Sequence, residues 1–183
     1  YAPTVRAESV RLFHLYMVEH MLHLGQYDVP QAILQSYVDC DLFVYPPKGF
    51  SDRPDQLLKL KKMLYSAKHS ACLWFRKLDI FLRSLGFTPG PLDPCFYKRS
   101  EPDTTALRRI TLHCDDFRIA ATAPIFHDLH TALFKEYDIT TADSSCFLGM
   151  DCTYDVPAGV VIFSMQTYIQ STLERFEDFD VSA

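Results

Sequence analysis

The chain has 183 residues, 48% of them hydrophobic and 14% aromatic, which is enough apolar surface for one folded core and too much for a disordered segment. No apolar run approaches the roughly 20 residues of a bilayer span, and YAPTVRAESVRLF lacks the basic-then-apolar layout of a secretory leader, so no membrane partner is expected. The formal net charge of −5 argues against a uniformly basic nucleic-acid binder, and the six cysteines form no CxxC pair, so they read as reduced thiols of an intracellular protein.

In chain order, residues 5–24 carry apolar side chains at 10, 12–13, 16–18, 21–22 and 24, the face of a helix that Thr4 would cap and Gly25 would end. QYDV reads as a short strand stopped by Pro30, and QAILQSYV as a short helix. LFVYPP is a strand closed by two prolines, KGFSDRPDQ a loop, and LLKLKKMLY fits strand or helix equally. Residues 66–86, SAKHSACLWFRKLDIFLRSLG, predict a helix with an apolar stripe of Leu73, Phe75, Leu78, Phe81, Leu82 and Leu85 and Gly86 beyond its end. Between positions 59 and 77 lie Lys59, Lys61, Lys62, Lys68, Arg76 and Lys77 without an acid among them. That pattern suits either a local phosphate-binding face or the solvated side of a helix.

Farther on, FTPGPLDP is an irregular loop, and CFYKR, RRITLHC and FRIAATA are strands. PIFHDLHTALFKEY is a helix with proline in its first turn. CFLGMDCTYD and GVVIFSM form a hairpin around VPAG, and QTYIQSTLERF is a final helix. Strands and helices without strict βαβ alternation indicate an α+β fold, an antiparallel sheet with helices on one face.

Asp115 and Asp116 stand together between two β-prone arms, at the tip of a predicted hairpin. Such a pair needs a lysine or arginine partner, a turn that leaves both in water, or a metal ion. Asp28 ends another short strand. If the two strands are neighbours, three carboxylates converge on an oxygen-rich site suited to Mg²⁺, and two ions about 3.5–4 Å apart there could clamp a phosphoryl transfer. The plain alternatives are a strand-end cap for Asp28 and an exposed turn for the pair. His20 with His23, and His127 with His130, have helical i, i+3 spacing but read better as partly buried edge residues than as ligands. His113 would line the acidic site or pack beneath its turn. No G-x-S-x-G, G-x-x-x-x-G-K or G-x-G-x-x-G motif is present.

The segments YAPTVRAESVR, QYDVPQAIL, LFVYPPKGF, LKKMLYSAKHSACLWFRKLDIFLRSLGF, LDPCFY, HCDD, CFLGMD and FSMQTYIQSTLERF, taken in this order, resemble the reverse transcriptase of copia-type retrotransposons (Pseudoviridae pol). The resemblance covers nearly the whole chain. It implies a right-hand polymerase palm with partial fingers, forming a single domain over 1–183 that is truncated at both ends relative to the family. It further implies an RNA-directed DNA polymerase that adds deoxynucleotides to a primer 3′-OH with two Mg²⁺ ions, Mn²⁺ being a possible substitute. Asp28, Asp115 and Asp116 fall on the family's catalytic, metal-binding carboxylates, with the Val29 carbonyl as a further ligand. Ile33, Lys68 and His69 fall on nucleotide-binding positions, and Phe147, Leu148, Gly149 and Met150 on the primer-contacting segment. The position of Ile33 is aromatic in the family and gates the sugar, so relaxed discrimination against ribonucleotides is expected. Implied partners are an RNA or DNA template, a DNA primer, dNTPs and the rest of a pol polyprotein (fingers, connection, RNase H, integrase), in a cytoplasmic virus-like particle or the nucleus. The other reading of the same resemblance is an inactive or domesticated remnant used for binding or structure.

Overall fold

The alternation of ITLHC and DFRIAA sets the centre of the molecule. The computed structural model describes residues 2–50, 56–99 and 108–176. In chain order it runs through helix α1 (Ala7–Glu19), strand β1 (His23–Asp28), a 3-10 turn (Ala32–Gln35), strands β2 (Phe43–Val44) and β3 (Leu58–Lys59), helix α2 (Ser70–Ser84) and strands β4 (Thr88–Pro89) and β5 (Phe96–Arg99). Strands β6 (Arg108–His113) and β7 (Asp116–Ala121), helix α3 (Ala123–Glu136), strands β8 (Thr140–Ala142), β9 (Cys146–Phe147), β10 (Met150–Asp155) and β11 (Val160–Ser164) and helix α4 (Gln166–Phe176) follow. The main sheet has six strands in the order β4-β5-β6-β7-β1-β8, every neighbouring pair antiparallel. Strands β9–β11 make a second sheet, and β2 pairs with β3.

Residues of alternate parity in the central strands lie on opposite faces. Tyr27, Ile110, Leu112, Phe117, Ile119 and Ala121 form one face, packed in one cluster with Trp74, Leu78 and Leu82 of α2 and Leu129 and Leu133 of α3. Ala120 points the other way, against Phe13, Met17 and Val18 of α1 and the partly buried Tyr154 and Val161 of the second sheet. The expectation of helices on one face is therefore corrected: α1 and the small sheet cover the second face. The reason is that β6 and β7 bury successive residues, Ile110 to Leu112 and Phe117 to Ala121, and a strand buried on both faces needs cover on both.

Local departures from the sequence reading have local causes. Helix α1 stops at His20, before Met21 at φ +50, so Gly25 is not its end. Gly25 lies inside β1, where a Cβ would stand 2.6 Å from Cζ of Phe126. QAILQSYV shortens to the 3-10 turn because Gln31 enters at φ 55 and Ser36 leaves extended. LLKLKKMLY resolves as strand β3 followed by a bridge between Tyr37 and Lys62. The buried positions of α2 are Ser70, Trp74, Leu78 and Leu82, a four-residue spacing narrower than the predicted stripe. Lys68 and Arg76 are exposed, and the half-buried Lys77 donates to the Gln35 carbonyl at 3.0 Å. Gly86, at φ +82, closes α2 with Phe87 N–H donating to the Leu82 carbonyl at 3.0 Å, the Schellman pattern.

Candidate active site at the ends of β1 and β7

The register of β1 and β7 sets Asp28 directly opposite Asp116, although 87 residues intervene, and opposed residues of an antiparallel pair project from one face. His113 pairs with Asp116, so Cys114 and Asp115 alone form the connection between β6 and β7. Cys114 takes φ +54. Positive φ at the first of two loop residues is the pattern of a type II′ hairpin turn. Three groups hold this turn. The Trp74 indole N–H donates to the Cys114 carbonyl at 3.0 Å, Val29 N–H donates to the Asp115 carbonyl at 3.1 Å, and Val5 N–H donates to the Leu112 carbonyl at 3.1 Å. Trp74 is buried in the core, and its hydrogen bond to the acidic turn carries no local sequence signal.

The carboxyl groups of Asp115 and Asp116 are both half-buried, and both have pKa values raised above the usual carboxylate range. For Asp115 the causes are desolvation, then the charge of Asp28, then that of Asp116. For Asp116 desolvation and Asp28 raise it, while His113 and Arg118 oppose them. Neither makes an ion pair with lysine or arginine among the described residues, where the pairs are Lys59–Asp41 and Arg83–Asp79. Of the explanations open for the acidic pair, a lysine or arginine salt bridge and a fully solvated turn both fail. What remains is an under-compensated cluster of negative oxygen donors.

That donor chemistry suits a hard divalent cation. The side chains are not gathered into a ready-made cage: among the described residues, no group of three or more His, Cys, Asp or Glu is placed to hold an ion. The Val29 carbonyl accepts a hydrogen bond from Ala32 N–H at 3.1 Å, which leaves it one free lone pair. The histidine pairs take other roles. His20 packs on the Tyr16 ring, and His130 shares a 3.1 Å hydrogen bond with the Tyr27 hydroxyl.

Asp115 also lines an apolar cavity of about 240 Å³ with Ile33, Ala71, Trp74, Phe75 and Cys114. Ile33 reaches it because the 3-10 turn follows β1 directly. Lys68 and His69 do not line it. Both are exposed, and His69 borders a separate cleft with Asp39, Cys40, Cys72 and Arg76. The segment 147–150 is a tight hairpin in which Phe147 pairs with Met150 and the two turn residues, Leu148 and Gly149, take φ +53 and +76. Both values positive is the type I′ pattern, and Gly149 suits it by its backbone freedom, since a Cβ there would meet nothing within 4 Å. Sequence reading passed over Arg118, which is fully buried on β7 two residues from Asp116.

The antiparallel sheet thus presents carboxylates from two adjacent strand ends beside an apolar cavity. The family model described as reverse transcriptase (RNA-dependent DNA polymerase) matches residues 1–182, and the chain belongs to that family. The retrovirus-related Pol polyprotein from transposon TNT 1-94 of Nicotiana tabacum is 26% identical over 181 residues, 96% of this chain and 14% of that protein. Those from transposons RE1 and RE2 of Arabidopsis thaliana are each 26% identical, over 179 and 180 residues, 96% of this chain and 12% of each protein. The chain thus spans a small part of the length of these copia-type relatives.

Proposed function

We propose that this chain is the palm, with part of the fingers, of an RNA-directed DNA polymerase, and that it extends a DNA primer on an RNA or DNA template as part of a larger Pol polyprotein. One observation carries the reading: Asp28 and Asp116 are register partners, and Asp115 beside them opens onto the cavity that Ile33 lines. Asp28, Asp115 and Asp116 would hold two Mg²⁺ or Mn²⁺ ions, with the remaining lone pair of the Val29 carbonyl. Bound ions would supply charge neutralisation for the attacking and leaving oxygens.

The chain's own residues do the rest. Trp74 and Val29 fix the turn that carries Asp115. Ile33 bounds the space for the sugar, and the hairpin 147–150 faces the primer. The β2–β3 hairpin and the exposed Lys61, Lys62, Lys68 and Arg76 make up the partial fingers. Catalysis then rests on positioning and charge compensation rather than on a covalent intermediate. Function inside a cytoplasmic virus-like particle or the nucleus follows from the same reading.

A second reading, a remnant retained for binding, is favoured by one observation: the carboxylates are not drawn into a preformed cage. Primer extension on an RNA template, with Mg²⁺ and separately Mn²⁺, separates the two. Extension that Asp115→Asn abolishes establishes the polymerase. Absence of Asp115-dependent extension, with a fingers segment from a relative restored, establishes the remnant.

A further inference from the structure

Arg118 is 0% exposed on β7, and among the described residues no carboxylate accepts from it. A buried guanidinium in that setting is costly unless all five N–H groups find acceptors. They do. Nε donates to Gln26 Oε1 at 2.7 Å, one terminal nitrogen to His14 Nε2 and the Tyr154 hydroxyl at 2.6 Å each, and the other to the Ser144 and Cys146 carbonyls at 2.9 and 3.1 Å. His14 Nδ1 lies 2.7 Å from the Val10 carbonyl and donates to it, so Nε2 is free to accept. The guanidinium carbon lies 4.3 Å from the centre of the Phe147 ring.

The acceptors come from three places: His14 on α1, Gln26 on β1, and the segment 144–154. Gln26 belongs to β1, two residues before Asp28, and Arg118 itself follows Asp116 by two. Ser144, Cys146, Phe147 and Tyr154 all belong to the segment that builds and flanks the 147–150 hairpin. One rigid, planar fork therefore joins both carboxylate strands to that hairpin. We propose that Arg118 is a positioning residue, which sets the place of the 147–150 turn relative to Asp28 and Asp116 and so the place of a primer end on the carboxylates. The proposal rests on the polymerase reading for its link to primer, and on geometry alone for the anchor. Lysine cannot substitute, because three donors on one nitrogen do not span acceptors on four elements.

The test uses the whole chain with Arg118→Met, Arg118→Lys and Tyr154→Phe, the last removing one hairpin acceptor and keeping its ring. Backbone amide exchange is followed at residues 146–152 and, for comparison, in α2 and β6. Affinity for a labelled DNA primer annealed to an RNA template is measured alongside. Losing hydrogen bonds from a charged donor should raise exchange in 146–152 about tenfold or more and leave α2 unchanged. Primer–template affinity should fall about tenfold, with Arg118→Lys failing to restore either. If Arg118→Met does not fold, Tyr154→Phe decides the exchange arm. Unchanged exchange at the hairpin in a folded variant, or a rise spread evenly over α2 and β6, overturns the anchor. Local loosening with unaltered primer affinity overturns the link to primer. If the unaltered chain binds no primer–template even with a fingers segment from a relative restored, the polymerase reading fails, while the exchange arm still decides the anchor.

Discussion

Replacing Trp74 with phenylalanine separates packing from positioning at the acidic turn. Trp74 is 3% exposed and meets the Tyr137 ring edge-on at 5.5 Å, a contact phenylalanine can keep. What is lost is the 3.0 Å hydrogen bond to the Cys114 carbonyl. An orphaned carbonyl costs about 1–3 kcal/mol, and the exposed position of Cys114 lets water satisfy part of it, so about 1 kcal/mol is expected from this cause. The smaller ring adds about another 1 kcal/mol of lost burial. Urea unfolding should therefore show about 2 kcal/mol of destabilisation.

The local effect should exceed the global one. Cys114 at φ +54 carries a left-handed penalty of about 1–2 kcal/mol that only its surroundings maintain. With the indole bond gone, the turn should open, and amide exchange at Asp115 and Asp116 should rise about tenfold at 25 °C. Leu82→Val, at the far end of α2, matches part of the stability loss without touching the turn. Equal exchange at Asp115 and Asp116 in Trp74→Phe and Leu82→Val would refute the positioning argument even if stability fell as expected.

The raised pKa values of Asp115 and Asp116 mean that the folded state binds more protons than the unfolded one in the carboxylate range, so stability falls as pH rises through it and the penalty is complete at neutral pH. Asp116→Asn should therefore stabilise the chain at pH 7 in thermal unfolding and lose that advantage below the unfolded carboxylate pKa; no gain at pH 7 would contradict the repulsion. Mg²⁺ should raise the Tm of the unaltered chain more than that of Asp116→Asn, and equal shifts would argue against metal at these carboxylates. Gly25→Ala forces a Cβ to within 2.8 Å of the Tyr27 hydroxyl as well as against Phe126, and should cost about 1–3 kcal/mol in urea unfolding. Ile33→Phe narrows the cavity beside Asp115, so in an active enzyme it should improve selection of deoxynucleotides over ribonucleotides by about tenfold, with metal dependence unchanged; an unaltered sugar preference would remove Ile33 from the gate.

Local sequence determined what local physics governs. The helical periodicity of α2, the glycine beyond its end, the proline opening α3 and the short run around Asp115–Asp116 each specify backbone within a few residues, whereas CFLGMDCTYD, read as one strand, breaks into β9 and β10 at Leu148–Gly149. The acidic pair was legible as an anomaly for the same reason, because charge between β-prone arms demands an explanation wherever the chain goes. Tertiary structure decided the partners. Periodicity reports which side of an element is apolar but not what covers it, so α1 on the second face could not be read from α1. Asp28 meets Asp116 because β1 slots between β7 and β8, a register fixed by Tyr27 and Phe117 packing on one side and by Gln26 meeting Arg118 on the other. Arg118 shows the limit most sharply: in the sequence it is one cation in a strand, and only the convergence of α1, β1 and the segment 144–154 supplies the five acceptors that let a buried charge exist.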